Sequence, residues 1–204
     1  MNLPVDLAAA LAAYLLGSCS FAYLVSRAFG LADPTSYGSG NPGATNVLRT
    51  GHKSAAALTL AGDLGKGVLA VAIARLWGPE FGLSTIGLAL VAGAVFLGHL
   101  FPIWFRFRGG KGVATAAGVL WALDWRVGLA VSVLWIAVFA LSRISSLSAL
   151  VAAAAAPLVA LWLWGHGPLV VAVFAIALVL LWRHRDNIAR LRSGQEGAFR
   201  SRQR

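Results

Sequence analysis

Apolar residues in this 204-residue chain gather into long runs separated by short polar clusters, and that pattern restricts the fold more than any other feature. In hydrocarbon no water is present to pair with exposed N–H and C=O groups, so only helices and closed barrels can cross it. A membrane barrel would alternate apolar and polar residues along each strand, and these runs do not alternate. The chain therefore reads as an all-α, polytopic helical membrane protein. Composition agrees: 59% hydrophobic and 12% charged residues stand against about 45–50% and about 25% in soluble domains.

Hydropathy predicts about seven helical segments, near 3–25, 54–77, 82–99, 113–123, 127–141, 147–164 and 168–183. The fourth and fifth are short. A helix of about 13 residues covers roughly 20 Å against a hydrocarbon core of about 30 Å. Either the bilayer thins around this pair, or the pair dips in as a hairpin without crossing, which would leave five crossings. Loops too short to hold a soluble unit make 1–204 a single domain, with 193–204 a basic, disordered tail. Segment 3–25 lacks a basic leader and a small-residue cleavage site, so it reads as a span rather than a secretion signal. The one cysteine, Cys19, lies within it and has no partner for an internal disulfide.

A net charge of +10 would suggest nucleic acid in a soluble protein. In a membrane protein it reflects topology and anionic lipid, so the bilayer is the expected partner and nucleic acid is not. With residue 1 outside, loops 26–53, 100–112 and 142–146 and the tail after 183 become cytoplasmic. They collect Arg27, Arg49, Lys111, Arg143, Arg183 and most of the other basic residues, while the opposite side keeps Arg75 and Arg126 beside Asp6, Glu80 and Asp124. The positive-inside rule then predicts an outside N-terminus, a cytoplasmic C-terminus and an odd number of crossings.

Two glycine–cation stretches fall on that cytoplasmic side. Loop one runs Gly38-Ser39-Gly40-Asn41-Pro42-Gly43-Ala44-Thr45-Asn46-Val47-Leu48-Arg49, and loop two runs Gly109-Gly110-Lys111-Gly112-Val113-Ala114-Thr115. Glycines let backbone N–H groups turn toward an anion, and arginine or lysine supplies the countercharge. Lys111 and Thr115 lie at a predicted helix N-terminus, which also favours an anion. A turn alone explains Pro42 and Gly43; it leaves Ser39, Thr45, Asn46 and Arg49 unaccounted for. Neither loop is a Walker A motif, because loop two lacks the upstream glycine and the hydroxyl directly after lysine.

Other polar residues carry weaker signals. Asp63 and Lys66, three apart within a span, form a local ion pair, line a substrate site, or do both. His99 ends the third span just before loop two. His184 and Asn187 share a helical face beyond the last span, where a proton relay and an oxyanion donor compete with a plain basic anchor for acidic lipid. His52 reads as a solvated interfacial residue and His166 as part of an outer turn. No Cys/His cluster has ligand spacing and the carboxylates are scattered, so neither metal nor cofactor is expected.

With these residues in place, the chain resembles the bacterial acyl-phosphate:glycerol-3-phosphate acyltransferases (PlsY-type). The resemblance rests on GSGNPGATNVLR at 38–49, GHLFPIWFRFRGGKGVAT at 98–115 and HRDNIARLRSGQE at 184–196, with DLGKG at 63–67 between the first two. It covers nearly the whole length; Pro42 departs from the valine frequent in relatives. It implies seven spans and a cytoplasmic active site in the bacterial inner membrane. There a fatty acyl group would pass from acyl phosphate to glycerol 3-phosphate, giving lysophosphatidate and inorganic phosphate. Contact with the enzyme that produces acyl phosphate would fit such a role. Carried over by position, Ser39, Arg49, Lys111, His184 and Asn187 would be catalytic. Gly38, Gly40, Asn41, Gly43, Thr45, Asn46, Asp63, Lys66, His99, Gly109, Gly110, Gly112, Thr115 and Glu196 would bind substrate.

Acyl phosphate is already activated, so direct attack by the acceptor hydroxyl needs no acyl-enzyme. The base remains open among His184, Ser39 acting through a neighbour, and a substrate phosphate. Two rivals come from other classes. A transporter of phosphorylated compounds would use the same loops without chemistry, and an intramembrane serine protease would need Ser39 inside the hydrocarbon.

Overall fold

The computed structural model describes residues 2–197, and these form helices joined by loops. The helices are α1 (Leu3–Gly17), α2 (Phe21–Ala28), α3 (Ala44–Leu48), α4 (Lys53–Leu76), α5 (Thr85–Leu100), α6 (Val113–Leu123), α7 (Trp125–Ser142), α8 (Ser145–Trp164), α9 (Pro168–Arg183) and α10 (Arg185–Arg192). Five units are long and apolar enough to cross a membrane: Leu3–Ala28, Lys53–Leu76, Thr85–Phe105, Trp125–Ser142 and Ser145–Trp164. A sixth arises if α9 and α10 count together across their 57° bend, and α6 is a shorter apolar helix. The protein is thus an all-helical, polytopic membrane protein.

Each apolar segment read from the sequence is helical, with three differences, the first being that segment 3–25 is broken at Ser18–Ser20 into α1 and α2. The fifth segment is not short: α7 extends to 18 residues, about 27 Å. Residues 195 and 196 of the expected tail are held in place, because Gln195 N–H donates to Arg190 O and the Glu196 carboxylate is bonded. The remainder of the expected tail, 198–204, lies outside the described residues.

Small residues set the closest helix crossings, as expected where lipid removes the hydrophobic drive between helices. A methyl on Gly17 would overlap the Val95 carbonyl, and one on Gly98 the Tyr14 carbonyl, so α1 lies directly on α5. Gly67 against Thr115 and Gly118 against Leu64 join α4 to α6 in the same way. Phe96, Leu100, Val91, Val95, Val119, Val127 and Val173 fill the space between the crossings. Asp6, buried in α1, accepts from Ser84 N (2.9 Å) and Ser84 Oγ (2.6 Å), fixing α1 to the start of α5.

The deficit in α6 falls at one end only. Its far end is level with the last turn of α4, where Arg75 donates to Ala122 O (3.0 Å) and Leu123 O (2.8 Å). Asp124 alone then links α6 to α7, and Trp121 Nε1 donates to Ser132 Oγ (3.0 Å) across an antiparallel pair. The hairpin tip therefore reaches the far end of α4. At the other end, Thr115 in the first turn of α6 donates to Asp63 O (2.9 Å). Asp63 lies ten residues into α4, roughly 15 Å from its start. Loop two, leading into α6, is thereby carried deep into the bundle from the end where α4 begins, called here the polar end.

Candidate active site

The polar end gathers loop one, loop two, the start of α8 and the α9–α10 bend. Loop one is organised around buried Asn46. Its Oδ1 accepts from Ser39 N (2.9 Å) and Ser39 Oγ (3.3 Å), and its Nδ2 donates to Pro34 O (2.7 Å) and Tyr37 O (3.2 Å). Gly38 has φ +60°, and a methyl there would meet both Asn46 Oδ1 and the Arg49 side chain; only glycine fits that turn without strain. Val47 anchors the loop by packing on Ala22, Ala55 and Ala56. Asn46 is thus an internal strut, whereas Ser39, Thr45 and Arg49 are exposed. Among the described residues, Arg49 is paired with no carboxylate.

Loop two is held from three directions. Gly110 N–H donates to His99 O (3.2 Å), and Arg183 donates to the Gly109 and Gly110 carbonyls, each at 3.0 Å. The two loops touch: a methyl on Gly110 would press against Pro42 O and His99 Nε2. Gly112, with φ +84°, turns the chain into α6.

Lys111 continues into a chain of hydrogen bonds. Its Nζ donates to Asn187 Oδ1, and Asn187 Nδ2 donates to Glu196 Oε1 (2.5 Å). Ser146 Oγ donates to Glu196 Oε1 (2.6 Å) and Arg190 Nε to Glu196 Oε2 (2.6 Å). The Asn187 amide is therefore oriented from both sides. Burial pulls the Lys111 pKa from 10.5 down to about 8; Arg190 and Arg183 add to the shift, and Glu196 and Asp186 oppose it. Partial burial acts to raise Glu196, but hydrogen bonds from Ser146, Asn187 and Arg190 outweigh it and leave its carboxyl below the ordinary value. His184 is buried with Nδ1 2.8 Å from Leu180 O, so a proton there leaves Nε2 as the acceptor.

Asp63 and Lys66 do not join this surface, and His99 reaches it only through the edge of its ring that meets Gly110. The three form a buried cluster beneath loop two, with Lys66 Nζ 2.9 Å from Asp63 Oδ1. Thr115 is likewise buried and committed to Asp63 O. Among the described residues no three His, Cys, Asp or Glu side chains converge as metal ligands would.

Reading the sequence missed the structural parts of Arg183, Arg190 and Ser146. An arginine just past an apolar run looks the same whether it anchors to lipid or clamps a loop. Ser145 was missed too; its Oγ is 3.5 Å from Thr45 Oγ1, and nothing local marks a serine that begins a helix as a neighbour of residues 100 positions away.

Comparison with known proteins agrees over the whole bundle. The profile of the glycerol-3-phosphate acyltransferase family matches residues 7–194. The glycerol-3-phosphate acyltransferase of Burkholderia ambifaria is 59% identical over 192 residues, covering 93% of this chain and 89% of that protein. That of Cupriavidus necator is 58% identical over 187 residues, covering 92% and 93%. A crystal structure of PlsY (YgiH), an integral membrane glycerol 3-phosphate acyltransferase in its glycerol 3-phosphate form, superposes with a TM-score of 0.89. The two chains are 35% identical and each is 96% covered; a lysophosphatidic acid form gives 0.87. With its loops meeting over one lysine–asparagine–glutamate chain and its length matched almost throughout, this chain belongs to the glycerol-3-phosphate acyltransferase family of integral membrane enzymes.

Proposed function

We propose that this enzyme transfers a fatty acyl group from acyl phosphate to the sn-1 hydroxyl of glycerol 3-phosphate at the cytoplasmic face of the membrane. The products are lysophosphatidate and inorganic phosphate. The observation that carries this reading is the meeting of the two glycine–cation loops at Pro42 and Gly110. It puts Arg49 and Lys111 on the two loops that must hold two phosphate-bearing molecules together against their mutual repulsion. The PlsY forms with glycerol 3-phosphate and lysophosphatidic acid support the same acceptor and product.

The acceptor oxygen attacks the donor carbonyl carbon. The bond from that carbon to the phosphate oxygen breaks, and phosphate leaves with the electron pair. The hydroxyl proton passes to the leaving phosphate or to His184 Nε2. Lys111 and Arg49 offset the growing charge on the leaving group, and Asn187, fixed between Lys111 and Glu196, helps orient the reacting groups. No acyl-enzyme is needed. The Ser39 hydroxyl bonds the Asn46 amide oxygen, which is not a base, so the loop holds no activated nucleophile.

Purified protein in proteoliposomes, given acyl phosphate and labelled glycerol 3-phosphate, is expected to form a labelled lipid and release one phosphate per lipid. Acyl-coenzyme A and acyl carrier protein thioesters serve as alternative donors. Product from a thioester but not from acyl phosphate would refute the donor assignment, and labelled acyl groups retained on denatured protein would refute direct attack. Glycerol 3-phosphate crossing the bilayer unchanged would be the transporter outcome.

A further inference from the structure

The buried cluster under loop two has a feature that neither an ion pair nor a substrate lining requires: it sets the tautomer of a histidine. Lys66 Nζ lies 2.9 Å from Asp63 Oδ1, 2.7 Å from Cys19 O and 2.9 Å from His99 Nδ1. The Cys19 carbonyl is available because the chain breaks between α1 and α2 at Ser18–Ser20, where no further helical turn claims it. An ammonium carries three donors and no acceptor. Its three partners here are two oxygens and one ring nitrogen, so His99 Nδ1 must accept. Asp63 Oδ1, at 3.4 Å from Nδ1, is the more distant neighbour. The ring proton is therefore placed on Nε2.

That Nε2 faces the seam between the loops. A methyl built on Gly110 would collide with it and lie 2.7 Å from Pro42 O. Among the described residues no protein group accepts a hydrogen bond from it. The ring is 4% exposed, held by Lys66 below and by its own backbone, whose carbonyl accepts from Gly110 N–H at 3.2 Å. A rigid N–H donor, with its tautomer fixed from beneath, thus faces the Gly110–Pro42 seam between the two loops that carry Arg49 and Lys111.

We propose that His99 binds a phosphate oxygen of substrate through Nε2–H, with Lys66 and Asp63 as positioning residues that hold the ring in that tautomer. This rests on the functional reading above for the identity of the anion, but not for the tautomer. The obvious objection is that His99 serves only to satisfy Lys66, and two substitutions separate the possibilities. The amide oxygen of His99→Asn reaches the Nδ1 position and keeps accepting from Lys66, but nothing remains at Nε2. The longer amide of His99→Gln can return an N–H donor to the Nε2 position.

In the acyltransfer assay, His99→Asn is expected to raise KM for a phosphate-bearing substrate by about tenfold or more, with melting temperature within a few degrees of the parent. His99→Gln should recover most of that loss. Near-parental KM in His99→Asn would overturn the proposal, as would equal loss in both variants with unchanged melting. Nitrogen-15 spectra of histidine-labelled parent protein, with the His99 signal assigned by its absence from a variant, should show Nε2 protonated and Nδ1 bare. A proton on Nδ1 would overturn it even if the variants failed to fold. Inactivity of the parent toward acyl phosphate would instead defeat the functional reading and leave the tautomer result standing.

Discussion

At the scale of single residues, Lys111 is where folding and function pull in opposite directions. Its ordinary pKa of 10.5 falls to about 8 because burial disfavours the ammonium before neighbouring arginines add repulsion. The unfolded chain keeps that proton up to about 10.5, so unfolding takes up a proton between the two values and stability rises with pH across that window. The phosphate binding proposed for Lys111 needs the charge, so kcat/KM should fall about tenfold per pH unit above 8 while the melting temperature climbs. Rate and melting profiles on the same preparation check this, and a parallel rise of both would remove Lys111 from phosphate binding. In Lys111→Arg the inflection near 8 should vanish, since guanidinium keeps its proton throughout. Asn46 makes a contrasting case. Asn46→Ala strips the partners from Pro34 O, Tyr37 O and Ser39 N, at about 1–3 kcal/mol for each buried group left unpaired. Loop one should lose its shape, so activity is expected to disappear with only part of the global stability. The motif blocks put Asn46 among the substrate-binding residues because a polar side chain in a glycine loop looks the same from sequence whether it faces inward or outward.

Among the elements, α6 decides where the site sits. Its shortness was legible from hydropathy, but the side on which the deficit falls was not. That depends on Arg75 meeting Ala122 and Leu123 at one end and Thr115 meeting Asp63 at the other, contacts with no local signature. The long spans were legible because an apolar run of sufficient length has only one solution in lipid. The break between α1 and α2 was not, since Ser18-Cys19-Ser20 is too mild an interruption to register in a hydropathy window. The α4–α6 crossing can be tested through its glycines. Gly118→Ala would drive a methyl into the Leu64 carbonyl, whereas a methyl on Gly65 meets nothing within 4 Å. Overpacking of this kind costs about 1–3 kcal/mol. Gly118→Ala should therefore lower the melting temperature and, by shifting α6, depress kcat/KM several-fold, with Gly65→Ala near the parent in both. Equal behaviour of the two variants would show that α6 does not position loop two.

For the whole molecule, the helix order carries both glycine loops, the α7–α8 turn and the α9–α10 bend to one end, while the turns at Glu80 and His166 go to the other. Charge predicts that the polar end faces the cytoplasm: Arg27, Arg49, Lys53, Arg106, Arg108 and Arg143 share that end with Lys111 and Arg183, and the far end has Arg75 and Arg126, of which Arg126 is already paired with Asp124 at 2.7 Å. Moving the first group outward across the membrane would oppose both the insertion bias and the potential. The reaction points the same way, since a phosphorylated acceptor is too polar to cross lipid unaided. Single cysteines introduced into a Cys19→Ser background resolve the question, because Ser39, Ser193, Glu80 and His166 are all exposed. An impermeant maleimide on intact cells should label positions 80 and 166 and spare 39 and 193; everted vesicles should give the reverse. Labelling at 39 on intact cells with 80 protected would turn the bundle over, and the lysine–asparagine–glutamate chain would then face a compartment without its substrates.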